Sequence, residues 1–186
     1  MRFPRATHPV IVFASEQDAK RVMEVLPKRF GKFGLTLHPE KTKLVDFTRP
    51  SNGREGPESF DLLGFTHLWG KSRKGRWIIQ RKTAKGRFAR ALKRVAQWCE
   101  SQRHLPMRLQ QQALSRKLMG HNQYYGITGN YRALSKFYWA VQKVWQKWLN
   151  RRSQNAKMTW ERFNRLLKRY PLPAPRVVHS VYAAKP

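Results

Sequence analysis

Leu118-Met119-Gly120-His121-Asn122-Gln123-Tyr124-Tyr125-Gly126-Ile127-Thr128-Gly129-Asn130 joins two basic amphipathic segments, and its reading sets the architecture on both sides. On helical spacing Leu114, Leu118 and Tyr125 share a face with Met107, which predicts a helix that ends within this stretch. Gly120, Gly126 and Gly129 are poor helix formers that mark the helix end and a turn. Asn130 is then placed to open the next helix as its N-cap. Two packed helices with Tyr124 and Tyr125 filling the gap between them is the plain structural reading.

Outward from that hinge the same period continues. Upstream, a helix is expected from Thr83 to Ser101 with Phe88, Leu92, Val95 and Cys99 inside and Arg87, Arg90 and Arg94 on another face. A second runs from Pro106 to Tyr125. Downstream, Tyr131 to Arg152 buries Leu134, Tyr138, Val141, Trp145 and Trp148, while Arg132, Lys136, Lys143, Lys147 and Arg151 form a basic stripe. Trp139 and Trp145 read as core rather than as stacking platforms. A short helix from Thr159 to Tyr170 precedes the proline-rich tail Pro171-Leu-Pro-Ala-Pro175.

The N-terminal part reads differently. Met1 to Pro9 has no hydrophobic period, and Val10 to Phe13 is a short apolar run that predicts a buried strand. Ser15-Glu-Gln-Asp18 resembles a capping box ahead of a helix carrying Ala19, Val22, Met23, Leu26, Phe30 and Phe33, with a kink or break expected at Pro27. Gly34 is a helix stop, and strands are expected at Leu35 to Leu37 and Thr42 to Phe47 around the turn His38-Pro-Glu-Lys41. Arg49 to Glu58 reads as a loop. Phe60 to Trp69 and Arg76 to Gln80 read as a hairpin with the basic tip Gly70 to Gly75.

Charge gives the first functional indication. The chain has 39 Lys and Arg against 10 Asp and Glu, a formal net charge of +29. Residues 1–70 hold 11 basic and 8 acidic side chains, whereas residues 71–186 hold 28 and 2. A field of that size calls for a polyanionic partner, and nucleic acid fits because its phosphates release counterions as the cations are neutralised. Between Lys71 and Arg94 lie eleven cations and no acid. Such a run tracks phosphates without reading sequence. The phosphate candidates are Lys41, Lys71, Lys74, Arg76, Lys85, Arg87, Arg90 and Arg94, with Arg132, Lys136 and Lys143 as a second set. His121, Asn122 and Tyr124 are candidates for contacts to bases or 2′-hydroxyls. One cysteine, Cys99, excludes an internal disulfide, no Cys/His grouping has zinc spacing, and no apolar run approaches membrane-spanning length. No membrane partner is indicated.

These residues add up to a family pattern. Gly34-Leu-Thr-Leu-His-Pro-Glu-Lys-Thr-Lys43 and Phe60-Asp-Leu-Leu-Gly-Phe65 resemble the last palm motifs of group II intron-encoded reverse transcriptases, and Leu118 to Asn130 with the helix after it resembles their maturase-specific thumb, domain X. Thr159-Trp-Glu-Arg-Phe-Asn-Arg-Leu-Leu-Lys168 and Pro175-Arg-Val-Val-His-Ser180 are similar to the end of short bacterial members. The resemblance implies an α+β chain: a leader over 1–9, the C-terminal part of an antiparallel palm over 10–80, a helical thumb of three main helices over 81–155, and a basic helix with a Pro-rich tail over 156–186. It also implies a C-terminal fragment without fingers, first palm half or endonuclease domain.

One departure bears on activity. Such reverse transcriptases carry Tyr-Ala-Asp-Asp immediately before the strand matched by Val10 to Phe13, and here Arg5-Ala-Thr-His8 stands in that place. Thr7 and His8 cannot replace two carboxylates, because Mg²⁺ prefers hard anionic oxygen and two-metal transfer needs both ions clamped. Although the family is one of RNA-directed DNA polymerases, this chain alone is not expected to synthesise DNA. No cofactor is implied for it, Mg²⁺ belonging to a complete polymerase. What the resemblance leaves is binding of group II intron RNA or other structured RNA, or of an RNA/DNA duplex, to assist splicing within a cytoplasmic ribonucleoprotein. Two further readings fit the same residues: a truncated or split polymerase active with a separately encoded palm half, and a decayed intron reading frame with only non-specific nucleic-acid binding.

Overall fold

The computed structural model describes residues 10–40, 42–50, 58–72, 74–155 and 157–180. They form a mixed α+β chain of five helices and one three-stranded antiparallel sheet. Helix α1 spans Glu16–Gly31, strands β1, β2 and β3 span Phe60–Leu62, Phe65–Lys71 and Trp77–Thr83, and helices α2 to α5 span Lys85–Ser101, Met107–Tyr125, Tyr131–Asn150 and Trp160–Arg169.

The helical half follows the apolar period closely. Val95 and Cys99 of α2, Leu114 and Leu118 of α3, Phe137, Val141, Trp145 and Leu149 of α4 and Phe163 of α5 meet in one core, closed by Leu172. Burial pushes the Cys99 thiol up to about 12, so it stays protonated at neutral pH and packs as a small apolar group. Phe137 and Leu149 take interior places expected of Tyr138 and Trp148, which are only half-buried. The ring of Trp148 instead lies under Lys147 and Arg151, 5.6 and 5.3 Å from its centroid.

Polar groups that the core takes in are paired. Gln110 is buried, donates to the carbonyls of Arg103 and Leu105 at 2.9 and 2.8 Å, and accepts the indole N–H of Trp145 at 2.8 Å. A single amide thus ties the α2–α3 loop to α4. Arg152 donates to the same two carbonyls, so this cation is spent on the fold.

The Pro-rich stretch is a strap rather than a loose tail. Gln111 and Asn122 of α3 donate to the carbonyls of Pro171 and Ala174 at 2.7 and 3.2 Å, and the Gly126 carbonyl accepts from Val178 and His179 at 2.7 and 2.8 Å. Gly126 sits at φ −76 and ψ 55, with the Ile127 N–H bonded to the Tyr125 carbonyl, an inverse γ-turn that ends α3. A Cβ there would lie 2.1 Å from the Asn122 carbonyl oxygen and 2.9 Å from that of Arg176, so the position needs glycine. Gly120, expected near the helix end, lies inside α3, and Gly129 takes the turn at φ +89.

The N-terminal half departs further from expectation. Val10 to Phe13, Leu35 to Leu37 and Thr42 to Phe47 are not strands, and Val10, Ile11 and Val12 are exposed rather than buried. An isolated strand lacks the ladder hydrogen bonds that would stabilise its extended backbone, and among the described residues the sheet pairs only its own three strands. Ser15 occupies the N-cap position of α1 without a side-chain cap bond, and α1 continues through Pro27 to Gly31 instead of breaking. The turn at His38 forms, with the Thr42 N–H and hydroxyl both donating to its carbonyl at 3.0 Å. Most of the expected Arg49 to Glu58 loop lies outside the described residues. Phe60 to Trp69, read as one strand, folds back on itself at Leu63 and Gly64, giving three strands where two were expected.

Candidate nucleic-acid interface

The tip between β2 and β3 closes through the Ser72 N–H on the Arg76 carbonyl at 2.8 Å, with Gly75 at φ +72. Lys71, Lys74 and Arg76 stand exposed around it, and Lys71 lies 5.5 Å over the Trp77 ring. Strand β3 then carries the chain about 20 Å to the start of α2. There the apolar side of α2 faces the core, which turns Lys85, Arg87, Arg90, Lys93 and Arg94 to solvent. Arg90 anchors one guanidinium N–H on the Gly86 carbonyl at 3.1 Å.

The second set is equally exposed. Arg132, Lys136 and Lys143 lie along the solvent side of α4, which carries no acidic residue. Helices α2 and α4 pack together, with Phe88 and Phe137 edge to face at 5.6 Å, so both cationic helices belong to one rigid unit. Residues 71–186 have just Glu100 and Glu161 as acids. Among the described residues no Lys or Arg of α2 to α5 is paired with a carboxylate.

Three of the expected RNA contacts have other roles. His121 is buried, stacks on Phe137 at 3.8 Å and meets Tyr125 at 4.6 Å. Burial pushes its imidazole down to about 4, so the ring is neutral and unable to meet a phosphate as a cation. Asn122 is also buried, with its amide on the strap at Ala174. Tyr124 keeps half its surface exposed, but its ring stacks on Phe65 at 5.8 Å and its hydroxyl donates to the Leu63 carbonyl at 2.7 Å. Short spacing from the basic helices suggested a surface role, whereas α3 turns these positions toward the sheet and α4.

What they build is a junction between sheet and helices. Leu63 and Gly64 both have positive φ, 49° and 84°, as a two-residue type I′ hairpin requires. Leu63 in that conformation costs about 1 kcal/mol, and the Tyr124 hydroxyl holds its carbonyl in place. Beside it the Ala84 N–H donates to the Gly64 carbonyl at 3.0 Å, and a Cβ on Gly64 would lie 3.1 Å from the Tyr125 hydroxyl. Asn130 stands at the N-cap position of α4 but makes no cap bond. Its amide accepts the Thr83 N–H at 2.9 Å and donates to the Thr83 hydroxyl and the Tyr125 carbonyl, both at 2.8 Å. The hinge stretch therefore fixes the angle between the basic hairpin and the basic helices.

Lys41 lies outside the described residues, as do Thr7 and His8. The aspartates do not gather: Asp61 accepts from the Thr66 hydroxyl rather than pairing with a cation, and Asp46 accepts from Thr48. Among the described residues no three His, Cys, Asp or Glu side chains come together as a metal site. Among the same residues no helix is long and apolar enough to cross a membrane. Compared with protein-family models, with curated proteins and with solved structures, the chain gives no match.

Proposed function

We propose that this chain is an RNA-binding protein of the maturase type, holding group II intron RNA on the basic hairpin and on the outer faces of α2 and α4 to assist its folding for splicing. The observation that carries the reading is the uncompensated cationic surface: Lys71, Lys74, Arg76, Lys85, Arg87, Arg90, Arg94, Arg132, Lys136 and Lys143 are all exposed, on elements fixed to one another by Asn130 and Tyr124. A polyanion with a fixed shape suits such a rigid array better than a flexible tail does. The resemblance of the motifs between Gly34 and Ser180 to those of intron-encoded proteins is what favours intron RNA over other polyanions in this reading.

The test reverses charge on Arg87, Arg90 and Arg94 together. Because all three side chains point to solvent, helix content and unfolding midpoint stay near those of the parent. Affinity for RNA falls, and the slope of log affinity against log salt becomes shallower by roughly 0.7 to 0.9 for each phosphate contact removed. Unchanged affinity removes α2 from the interface.

A second reading has its own support. Val10, Ile11, Val12, Val25, Phe33, Leu35 and Leu44 are exposed, and among the described residues the outer edges of β1 and β3 have no further strand partner. Such a surface suits cover by another polypeptide, as a separately encoded palm half with the catalytic carboxylates would provide. A monomeric chain whose residues 10–50 stay protected from proteolysis contradicts this reading.

A further inference from the structure

Trp139 is 59% exposed in the middle of α4, where the other large apolar side chains are buried or half-buried and only Tyr131, at the first turn, is exposed as well. Its core side is the stripe Leu134, Phe137, Val141, Trp145 and Leu149. At 100° per residue Trp139 falls on the far side of the helix, aligned with Arg132, Lys136 and Lys143 at spacings of seven, three and four residues. Side chains three and four residues apart are neighbours on a helix surface, so Lys136 and Lys143 flank the indole on successive turns. The two ammonium groups are rooted about 10 Å apart along the axis. Tyr138 meets the indole edge to face at 5.9 Å, which limits the ring's freedom without covering it.

Nothing in the packing asks for tryptophan at this position. An exposed indole forgoes the burial that makes aromatic side chains useful to a core, and its surroundings are cationic. Aromatic faces set between cations suit unpaired nucleotides: the base stacks on the ring, and the phosphates on either side meet the cations. Bases inside a continuous duplex are already stacked on one another and present no free face.

We propose that Trp139 is a base-stacking platform for an unpaired nucleotide of the bound RNA, with Lys136 and Lys143 holding the adjoining phosphates. The inference rests on the RNA-binding reading and deepens it: the paired parts of the RNA meet cations, and the α4 site selects a bulge, loop or single-stranded end. Trp139 is then a specificity-determining residue on a surface whose other contacts are cations facing phosphates.

The full chain and its Trp139→Ala and Trp139→Phe variants are titrated with a short single-stranded RNA and with a perfectly paired RNA duplex of the same nucleotide count, across a salt series. Trp139→Ala is expected to lose roughly ten-fold or more in affinity for the single strand and little for the duplex, with an unchanged salt slope for both. Trp139→Phe, which keeps a π-face, recovers most of the loss. The exposed position leaves the fold intact, checked by an unchanged unfolding midpoint. Equal losses on both RNAs, no loss on either, or no recovery with phenylalanine would overturn the platform while leaving the basic surface standing. A parent chain that binds neither RNA would overturn the RNA-binding reading and the platform with it.

Discussion

Residues 10–50 and residues 84–180 use similar side chains to different ends. Both carry amphipathic helices and apolar runs, yet among the described residues of the first segment only Ala19 and Pro50 are buried, while the second encloses Trp145, Phe163, Leu114 and Leu134 almost completely. The difference is in what faces each apolar stripe. In the helical unit every stripe meets another, and the polar intruder Gln110 finds three partners. Among the described residues the stripe of α1 meets no comparable face, so its period produces a helix without a core of its own. Periodicity thus decides the local element, and a facing surface decides whether that element stabilises the fold.

Cutting into each region sharpens this contrast most. Trp145→Ala is expected to cost about 3–5 kcal/mol, through the cavity and the loss of the N–H that satisfies Gln110. Leu35→Ala, at an exposed site, is expected to stay within about 0.5 kcal/mol. Urea unfolding followed by helical circular dichroism reads both, and equal costs would break the comparison.

Smaller in effect is the pH dependence of the helical unit. Burial holds His121 at about 4 against an ordinary 6.5, so between those values the unfolded chain takes up a proton that the folded chain refuses. Its contribution is complete above pH 6.5 and declines as pH falls toward 4, by on the order of 2 kcal/mol. His121→Phe keeps an aromatic ring against Phe137 and should remove that part of the slope. An identical pH profile for the two proteins would mean that His121 is solvated. Smallest is the sheet junction, where Tyr124→Phe keeps the stack on Phe65 and loses the bond to the Leu63 carbonyl, a cost of about 1 kcal/mol. Faster hydrogen exchange at β1 and β2, with α4 unchanged, would report that loss.

The same contrast explains what could be read in the sequence. The boundaries of α2 to α5 followed from apolar period and flanking residues, down to Thr159, whose hydroxyl accepts the Arg162 N–H at 3.4 Å. The three N-terminal strands did not form, because an apolar run specifies burial only if a partner strand is present. Asn130 was legible as a helix start, but its bonds to Thr83 reach across 47 residues and leave no local signal. His121 and Asn122 lie three and four residues after Leu118, on the face that Leu114 and Tyr125 share, so helical spacing pointed them inward and only their polar chemistry suggested a surface role. Trp139 could have been found on the helical wheel, where it shares the side of Lys136 and Lys143. Aromaticity suggested core, whereas position placed it outside.

The central claim of the proposed function is that a rigid basic surface recognises group II intron RNA rather than any structured RNA. Binding of the purified chain to a group II intron RNA and to an unrelated structured RNA of equal length, across a salt series, tests it most directly. Phosphate neutralisation is common to both RNAs and fades with salt, by roughly 0.7 to 0.9 log units per log unit of salt for each phosphate. The account predicts a preference for the intron RNA that persists as salt rises. Equal affinities that disappear together with salt would contradict it, leaving non-specific attraction by charge alone.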